Sequence, residues 1–313
     1  MSKIVILGGT GFVGRALVNR LVAEGHAVDV LSRNRERQRD LLIYPQVRVV
    51  STDVYDTKQL QRALNGADAV INLVGILNAP GASGRGYERA HVQLTEKLIE
   101  ACASAGVHRL VQMSALNAGK GESHYLRTRG QAEAVVQAST LDWTLIRPSV
   151  IFGPGDGLYC RFAALLTIAP VLPLARAHAR FAPVWVGDVS NAIVQSLNRA
   201  EAVGRTYELG GPQVCTLKEI CEYTAHTLGL RRLIIPIPDF VARLQGLAFD
   251  YLPVPFKAFS TDNYRSLLID SVPESDGLAD LGIQPTPIEL VVPRYLGESK
   301  QRMLDDYRAE ASR

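Results

Sequence analysis

The sequence predicts a doubly wound α/β fold, in which helices cover both faces of a parallel β-sheet. Its first 150 residues alternate short apolar segments, rich in valine and isoleucine, with longer segments of helical periodicity. Such short apolar runs are typical of strands that are buried on both faces. A glycine-rich loop directly follows the first run, and folds of this kind bind ligands beyond the carboxyl ends of their strands.

The predicted elements follow one another in a regular order. Strands are predicted over 3–7, 27–31, 47–50, 68–75, 109–115 and 143–153. Helices are predicted between them over 12–25, 57–66, 86–105 and 123–138, with a charged, helix-like stretch after the second strand. Right-handed crossovers between parallel strands then bring all the carboxyl ends to one edge of the sheet.

The loop after the first strand has the spacing of a dinucleotide-binding turn. It reads GGTGFVG, with glycines at Gly8, Gly11 and Gly14. Gly8 permits a tight turn, Gly11 lets the backbone approach a pyrophosphate, and Gly14 allows the helix to pack closely on the strand. The unpaired N–H groups and positive dipole end of the following helix favour phosphates. This context predicts a Rossmann dinucleotide site, and a tight turn without a ligand is the alternative.

The end of the second strand indicates which dinucleotide is preferred. An NAD site places a carboxylate there, about 20 residues beyond the glycines, to bind the ribose 2′-hydroxyl. This chain has Ser32 and Arg33 at that place, whereas Asp29 lies too early, inside the strand. Because Arg33 can form a bidentate pair with a 2′-phosphate, NADP(H) is favoured over NAD(H). Alternatively, Arg33 belongs to a basic, solvated start of a helix. For the next three arginines, Arg35, Arg37 and Arg39, this interpretation is preferred.

The regular alternation stops after Gly157, where the elements become short and rich in proline. We assign residues 1–155 and 183–203 to the dinucleotide-binding Rossmann domain. Residues 156–182 and 204–313 are assigned to a smaller, mainly helical C-terminal lobe. Helices are predicted within this lobe near 216–228, 238–250 and 256–268.

Composition and charge exclude several functional classes. The chain has 313 residues, of which 47% are hydrophobic and 21% charged, and this balance excludes a disordered protein. A formal net charge of +3 does not support nucleic-acid binding, which needs a concentrated basic face. The four cysteines have neither metal-ligand nor disulfide spacing, so no metal site is predicted. Because no apolar run is long enough for a signal sequence or a membrane span, a cytoplasmic protein is expected.

Several longer motifs occur in order along the chain. Besides the glycine loop they include VQMSAL at 111–116, YLRTR at 125–129 and IRPSVIFGPGD at 146–156. Together they resemble the atypical, extended short-chain dehydrogenase/reductases, an NAD-dependent epimerase/dehydratase-like group. The motifs NLVGIL, YELGGP and PIPDFVARLQ further resemble bacterial relatives of the nucleotide-binding accessory subunit of respiratory complex I. The resemblance covers nearly the whole chain.

This resemblance implies cofactor contacts in addition to the glycines, Ser32 and Arg33. The pyrophosphate loop would include Thr10, Phe12 and Val13. The adenosine would meet Asp53, Val54, Leu73, Val74 and Gly75. The nicotinamide end would meet Met113, Ser114, Arg129, Pro148, Ser149 and Val150. As alternatives, Asp53 can simply begin a turn, as aspartate often does, and Pro148 can simply end its strand.

The resemblance also implies a catalytic Ser–Tyr–cation site. Active members use a lysine whose charge lowers the pKa of the tyrosine. This chain has Ser114 and Tyr125 but carries Arg129 in place of that lysine, at i+4 on the same helix face. Because a planar guanidinium is not equivalent to a compact ammonium, we expect cofactor binding with weak or absent turnover. His91 likewise replaces an asparagine that is common in extended members, although a packed helix residue is its alternative interpretation.

The C-terminal lobe contains a long apolar segment over 233–259. The core of the lobe is its usual explanation, but an exposed apolar patch with arginines nearby also suits a membrane surface or a partner. Given the resemblance, a quinone or lipid is a hypothetical ligand of this lobe.

Three functions therefore stay open from the sequence. The first is an NADP(H)-binding accessory protein in respiratory-chain or ubiquinone-related work, in the cytoplasm with peripheral contact to the inner membrane or a respiratory complex. The second is an active NAD(P)-dependent reductase or nucleotide-sugar epimerase/dehydratase, in which Arg161, Arg176 and Arg180 could bind a diphosphate. The third is a membrane-associated assembly module that binds no nucleotide.

Overall fold

A seven-stranded parallel sheet forms the centre of the protein. The computed structural model describes residues 1–79, 83–250 and 259–297. The sheet contains β1 (Lys3–Leu7), β2 (Ala27–Ser32), β3 (Val47–Ser51), β4 (Ala69–Asn72), β5 (Arg109–Met113), β6 (Asp142–Pro148) and β11 (Arg205–Leu209). Their spatial order is β11-β6-β5-β4-β1-β2-β3. The direction of winding reverses between β1 and β4, so the predicted doubly wound fold is confirmed.

Helices cover this sheet and continue into the C-terminal lobe. They are α1 (Phe12–Ala23), α2 (Thr57–Leu64), α3 (Arg85–Tyr87), α4 (Leu94–Ala105), α5 (His124–Gln137), α6 (Tyr159–Ile168), α7 (Val186–Asn198), α8 (Leu217–Thr227), α9 (Asp239–Asp250), α10 (Thr261–Ser266) and α11 (Gly277–Asp280). A further helical stretch covers 288–297. Three pairs of short strands complete the structure: β7 (Ile151–Phe152) with β10 (Val184–Trp185), β8 (Val171–Leu174) with β13 (Leu233–Pro236), and β9 (Arg180–Phe181) with β12 (Cys215–Thr216).

The sheet is apolar on both faces, as its strand sequences predict. Along β1, Ile4 and Ile6 point into the core that contains residues of α1 and α7. The alternate residues, Val5 and Leu7, point into the opposite core, which contains residues of α2 and α4. All four side chains are almost completely buried. Burial on both sides explains why these strands read as continuous apolar runs rather than as alternating ones.

One strand of the sheet lies beyond the predicted domain boundary. We assigned everything from residue 204 onward to the smaller lobe, but Arg205–Leu209 pairs in parallel with β6. The short helix α11 then packs against this strand, and Leu278 lies in the same core as β1. These two segments of 204–313 therefore pack with the main sheet.

Two helical segments also differ from the predicted ones. The charged stretch after β2 is a 3-10 segment, Arg35–Ile43, rather than a regular helix. The helix predicted over 86–105 is interrupted by a π-helical turn, Glu88–Gln93, which joins α3 to α4. Single π-turns inside α-helices are frequent at functional sites.

The C-terminal lobe has its own apolar core, formed mainly by α6, α8 and the stretch 288–297. The predicted helices near 216–228 and 238–250 correspond to α8 and α9, and 256–268 corresponds to α10 except for residues 256–258, which lie outside the described residues. Within the described ranges, no helix combines the length and the apolar character that a membrane span requires.

Candidate functional site

The glycine loop forms a tight turn between β1 and α1. Gly8 has a φ of +78°, and its carbonyl oxygen accepts a hydrogen bond of 3.0 Å from the N–H of Gly11. A Cβ atom on Gly14 would lie 2.5 Å from that same carbonyl oxygen, so the helix passes the turn closely. Helix α1 has no side-chain cap and no acidic residue in its first turn. Its first N–H groups therefore face a region that suits an anion.

Other predicted loop residues fix this turn in place. Arg15 donates from Nε to the carbonyl oxygen of Thr10 at 3.2 Å and forms an ion pair with Asp40 of the 3-10 segment. The ring of Phe12 lies against Gly153, directly after β7. Val13 packs against the core under the sheet.

The adenosine end of the predicted site is formed after β2 and β3. Ser32 accepts a hydrogen bond from the N–H of Asn34, and Arg33 is exposed. Asp29 is buried inside β2, where Arg48 binds its carboxylate through two nitrogens, so Asp29 does not reach the ligand region. Asp53 accepts from the N–H of Tyr55 at 3.0 Å, which is the turn role given above as its alternative. Only one of its oxygens is used in this way.

The nicotinamide end is dominated by Arg129. Its guanidinium is buried, and Nη1 donates to the carbonyl oxygens of Val74 (3.3 Å) and Met113 (2.9 Å). Val74 follows β4 and Met113 ends β5, so Arg129 lies across the carboxyl ends of two neighbouring strands. Gly75 leaves room for Nη2, because a side chain there would collide with it. The backbone of Leu73 in turn lies against Gly8 of the phosphate loop.

Two buried polar atoms at this end lack a hydrogen-bond partner among the described residues: Ser114 Oγ and Arg129 Nε. A buried polar group without a partner is costly, so such groups mark places where a ligand or water supplies the bond. The family resemblance predicts that the nicotinamide end of the cofactor lies at these two residues. Together with the turn at Gly8, the residues present fit a dinucleotide.

Tyr125 belongs to an aromatic cluster beside Arg129. The guanidinium carbon of Arg129 lies 5.5 Å from the centre of the Tyr125 ring and faces that ring. His91 packs edge-on against the same ring at 5.6 Å, and Tyr87 does so at 6.3 Å. Tyr125 and Arg129 of the predicted constellation thus lie side by side with His91 next to them, and Arg129 also binds the carbonyl oxygen of Met113, the residue before Ser114.

His91 connects the π-helical turn to α5. The N–H of Ile76 donates to His91 Nε2 at 3.3 Å, so the ring hydrogen lies on Nδ1, which contacts Thr128 Oγ1 at 2.8 Å. The Thr128 hydroxyl then donates to the carbonyl oxygen of His124. Burial, together with the charge of Arg129, lowers the pKa of His91 to about 2. His91 is therefore neutral and a poor proton acceptor, and its role here is to hold α5 in position.

The N-terminus of α5 is held by both domains. Ser123 caps it by accepting from the N–H of Leu126. Asp262, from the C-terminal lobe, accepts from the N–H groups of His124 (2.6 Å) and Tyr125 (3.1 Å). A carboxylate at a helix N-terminus is stabilising, so this contact fixes Tyr125 against the second lobe. No role was predicted from the sequence for Asp262 or Thr128. Thr128 lies inside the YLRTR motif, whereas the sequence around Asp262 gives no indication of this contact.

The residues after β6 serve the contact between the lobes. Pro148 is buried at the end of β6. Ser149 donates to the carbonyl oxygen of Ser271 at 2.6 Å, and Val150 packs against the core of the C-terminal lobe. Ser149 is therefore already engaged in a structural hydrogen bond.

Comparison with known proteins agrees with this geometry. The NAD(P)H-binding family profile matches residues 8–161. The mitochondrial NADH dehydrogenase [ubiquinone] 1 alpha subcomplex subunit 9 of Mus musculus is 31% identical over 295 residues, which are 91% of this chain and 77% of that protein. The chain belongs to the atypical short-chain dehydrogenase/reductases, in the family of this complex I subunit. The resemblance seen in the sequence motifs is thereby confirmed.

Other members of the superfamily are also similar to this short-chain dehydrogenase/reductase. The ceramide reductase of Caulobacter vibrioides is 30% identical over 247 residues, covering 75% of this chain and 74% of that protein. Among solved structures, the dTDP-glucose 4,6-dehydratase DesIV of Streptomyces venezuelae, with NAD bound, has a TM-score of 0.75 at 21% identity, covering 96% and 97% of the two chains. This last likeness supports the Rossmann fold. The protein is thus an NAD(P)-binding member of an oxidoreductase superfamily.

Proposed function

We propose that this chain is an NADP(H)-binding protein with weak or no turnover, in a respiratory-chain or ubiquinone-related role. The observation that carries the proposal is the position of Arg129. Its Nη1 atom donates to the carbonyl oxygens of Val74 and Met113, and its charge faces the ring of Tyr125. A cation held in this way binds a cofactor ribose but acts weakly on the tyrosine hydroxyl. The relatives named as complex I subunits support the respiratory role.

The preference for NADP(H) rests on Arg33. Among the described residues, its guanidinium makes no hydrogen bond or ion pair, and it follows β2 at the place where a ribose carboxylate stands in NAD sites. The neighbouring acid, Asp29, is already bound by Arg48. A phosphate on the ribose would therefore meet a free cation without competition from Asp29.

Replacing Arg33 with alanine tests this preference. We expect the affinity for NADPH to fall about 10- to 100-fold, because a hydrogen-bonded charge pair contributes about 1.5–3 kcal/mol, while the affinity for NADH stays constant. Fluorescence titration of both reduced cofactors measures the two constants. Arg37→Ala is the matched control, since Arg37 is an exposed cation of the same segment. Equal affinity for both cofactors, unchanged by Arg33→Ala, would overturn the NADP(H) assignment.

An active nucleotide-sugar enzyme is the less favoured alternative. Such an enzyme needs cations for the diphosphate, and Arg176 and Arg180 were candidates from the sequence. Arg176 forms an ion pair with Asp239, and Arg180 forms one with Asp270. Both arginines thus have structural partners within the lobe.

We further propose that the C-terminal lobe binds a quinone or lipid and that the protein is cytoplasmic with peripheral contact to the inner membrane. Three large apolar side chains lie on one face of α9 at i, i+4 and i+7: Phe240 (73% exposed), Leu244 (66%) and Leu247 (53%). A pocket of about 180 Å³ lies at the end of this face and is lined by Leu247, Tyr87 and Asp262, among others. An apolar surface that leads to a pocket with polar walls suits an amphiphile with a polar head group.

Lipid extraction from a folded preparation, followed by mass spectrometry, tests this partner. We expect quinone or phospholipid to co-purify with the wild-type protein and to be lost from a Leu244→Ser/Leu247→Ser variant. Because both side chains are more than half exposed, the variant is expected to fold normally. A wild-type preparation without bound lipid, or a variant that retains it, counts against the lipid proposal.

A further inference from the structure

A second arginine, Arg89, lies at the adenosine end of the predicted cofactor site. It belongs to the π-helical turn Glu88–Gln93, and its guanidinium carbon lies 4.4 Å from the centre of the Tyr55 ring. Tyr55 follows Asp53 and Val54, the residues after β3 that the family resemblance places next to the adenine. Arg89, in the turn that precedes α4, therefore contacts the segment after β3, which neighbours the segment after β2 that contains Arg33.

Tyr55 connects the segments that carry the two arginines, because Arg89 lies over its ring and its own segment leaves the sheet beside the one that carries Arg33. Burial raises the pKa of Tyr55, and the positive charges of Arg89 and Arg33 oppose that rise. β2 and β3 are adjacent and in register at Ser32 and Ser51, so the segments that carry Arg33 and Tyr55 leave the sheet side by side. The two arginines thus approach one small region from two different elements.

This region has an excess of positive charge. Neither Arg33 nor Arg89 donates a hydrogen bond or forms an ion pair with a described residue, and both are exposed. The acidic group that acts on Tyr55 is Asp53, one of whose oxygens already accepts from the Tyr55 N–H. Two cations that are brought to neighbouring segments and whose guanidinium groups lack a hydrogen-bonding or acidic partner are suited to one doubly charged anion.

We propose that Arg89 is a specificity-determining residue for the cofactor, which binds the ribose 2′-phosphate together with Arg33. Tyr55 positions it, because a guanidinium stacked on an aromatic ring keeps its N–H groups in the plane and free to point at the anion. The proposal rests on the NADP(H) function proposed above and adds the second half of the phosphate site. In the simpler alternative, Arg89 is a solvated cation whose only contact is Tyr55.

The Arg89→Ala variant tests the assignment, with the dissociation constants of NADPH and NADH measured by titration calorimetry. We expect about a tenfold weaker affinity for NADPH and an unchanged affinity for NADH, since the lost bond is made only to the 2′-phosphate. The affinity for adenosine 2′,5′-bisphosphate is expected to fall by the same factor, and the affinity for AMP is expected to stay unchanged. Arg89→Lys keeps the charge and is expected to retain most of the NADPH affinity.

Arg85→Ala is the matched control, because Arg85 is an exposed arginine one helical turn earlier. If Arg89→Ala binds NADPH as well as the wild type does, or weakens NADPH and NADH equally, the assignment to the 2′-phosphate is wrong. Failure of the proposed function has a different signature: the wild-type protein would bind neither cofactor, or bind both with equal affinity.

Discussion

Replacing Gly14 with alanine is expected to abolish dinucleotide binding in a protein that still folds. A Cβ atom at this position would lie 2.5 Å from the carbonyl oxygen of Gly8 and from the backbone of Gly9. Backbone atoms cannot rotate away as a flexible side chain does, so either the turn or α1 must shift. The shift would cost about 1–3 kcal/mol of folding stability. It would also move the N–H groups of the loop away from the phosphates.

The loss of binding follows from those N–H groups. A hydrogen bond to a charged group contributes about 1.5–3 kcal/mol, so losing two of them lowers the affinity more than about 100-fold. NADPH titration gives the affinity, and thermal unfolding reports whether the variant is folded. Gly157→Ala is the control, because a Cβ atom there meets nothing within 4 Å. A folded Gly14→Ala protein with wild-type affinity for NADPH would falsify the assignment of the loop as a phosphate cradle.

The fold was predictable from the sequence where local signals and burial agree. Strand β1 begins and ends at the predicted residues, because its apolar side chains fill cores on both faces and its last residue precedes a glycine turn. The helix that carries Tyr125 was also predicted closely, since Ser123 is a typical N-cap and the structure uses it as one.

Other features depend on partners far away in the sequence. Strand β11 is short and partly polar, and only its pairing with β6, about sixty residues earlier, makes it part of the main sheet. Asp262 holds α5 from a position 138 residues after His124. No local pattern in the sequence indicates such contacts, so neither the place of β11 in the main sheet nor this cap could be predicted.

In the candidate site, too, the sequence spacing predicted part of the arrangement, whereas the rest depends on the folded surroundings. The i, i+4 spacing correctly placed Tyr125 and Arg129 on one side of α5. The spacing did not show that Arg129 is buried, nor that the carbonyl oxygens of Val74 and Met113 bind it. These backbone acceptors exist only because β4 and β5 end side by side. The chemistry of Arg129 therefore depends on the assembled sheet.

Replacing Arg129 with lysine is expected to raise NADPH-dependent reduction of carbonyl compounds about 100-fold, within the range that a positioned acid contributes. In the wild type, the guanidinium donates to two carbonyl oxygens and faces the Tyr125 ring, so its Nη1 is directed at those backbone acceptors. A lysine ammonium is compact and flexible, and its charge stabilises the tyrosinate that forms when Tyr125 donates its proton to the oxygen of the reduced carbonyl. Ser114, whose Oγ has no partner among the described residues, is free to bind the reacting oxygen.

Initial rates of NADPH oxidation with a panel of aldehydes and ketones measure this effect. The Arg129→Lys/Tyr125→Phe double variant is the decisive control, because it keeps the ammonium but removes the proton donor, and it is expected to return to the wild-type rate. Arg129→Ala, which has no charge at this position, is expected to show no rise. If Arg129→Lys binds NADPH normally yet stays as slow as the wild type on every compound, Arg129 does not limit turnover. The low activity would then have to arise from the substrate side of the site, where Asp262 and the π-helical turn hold Tyr125.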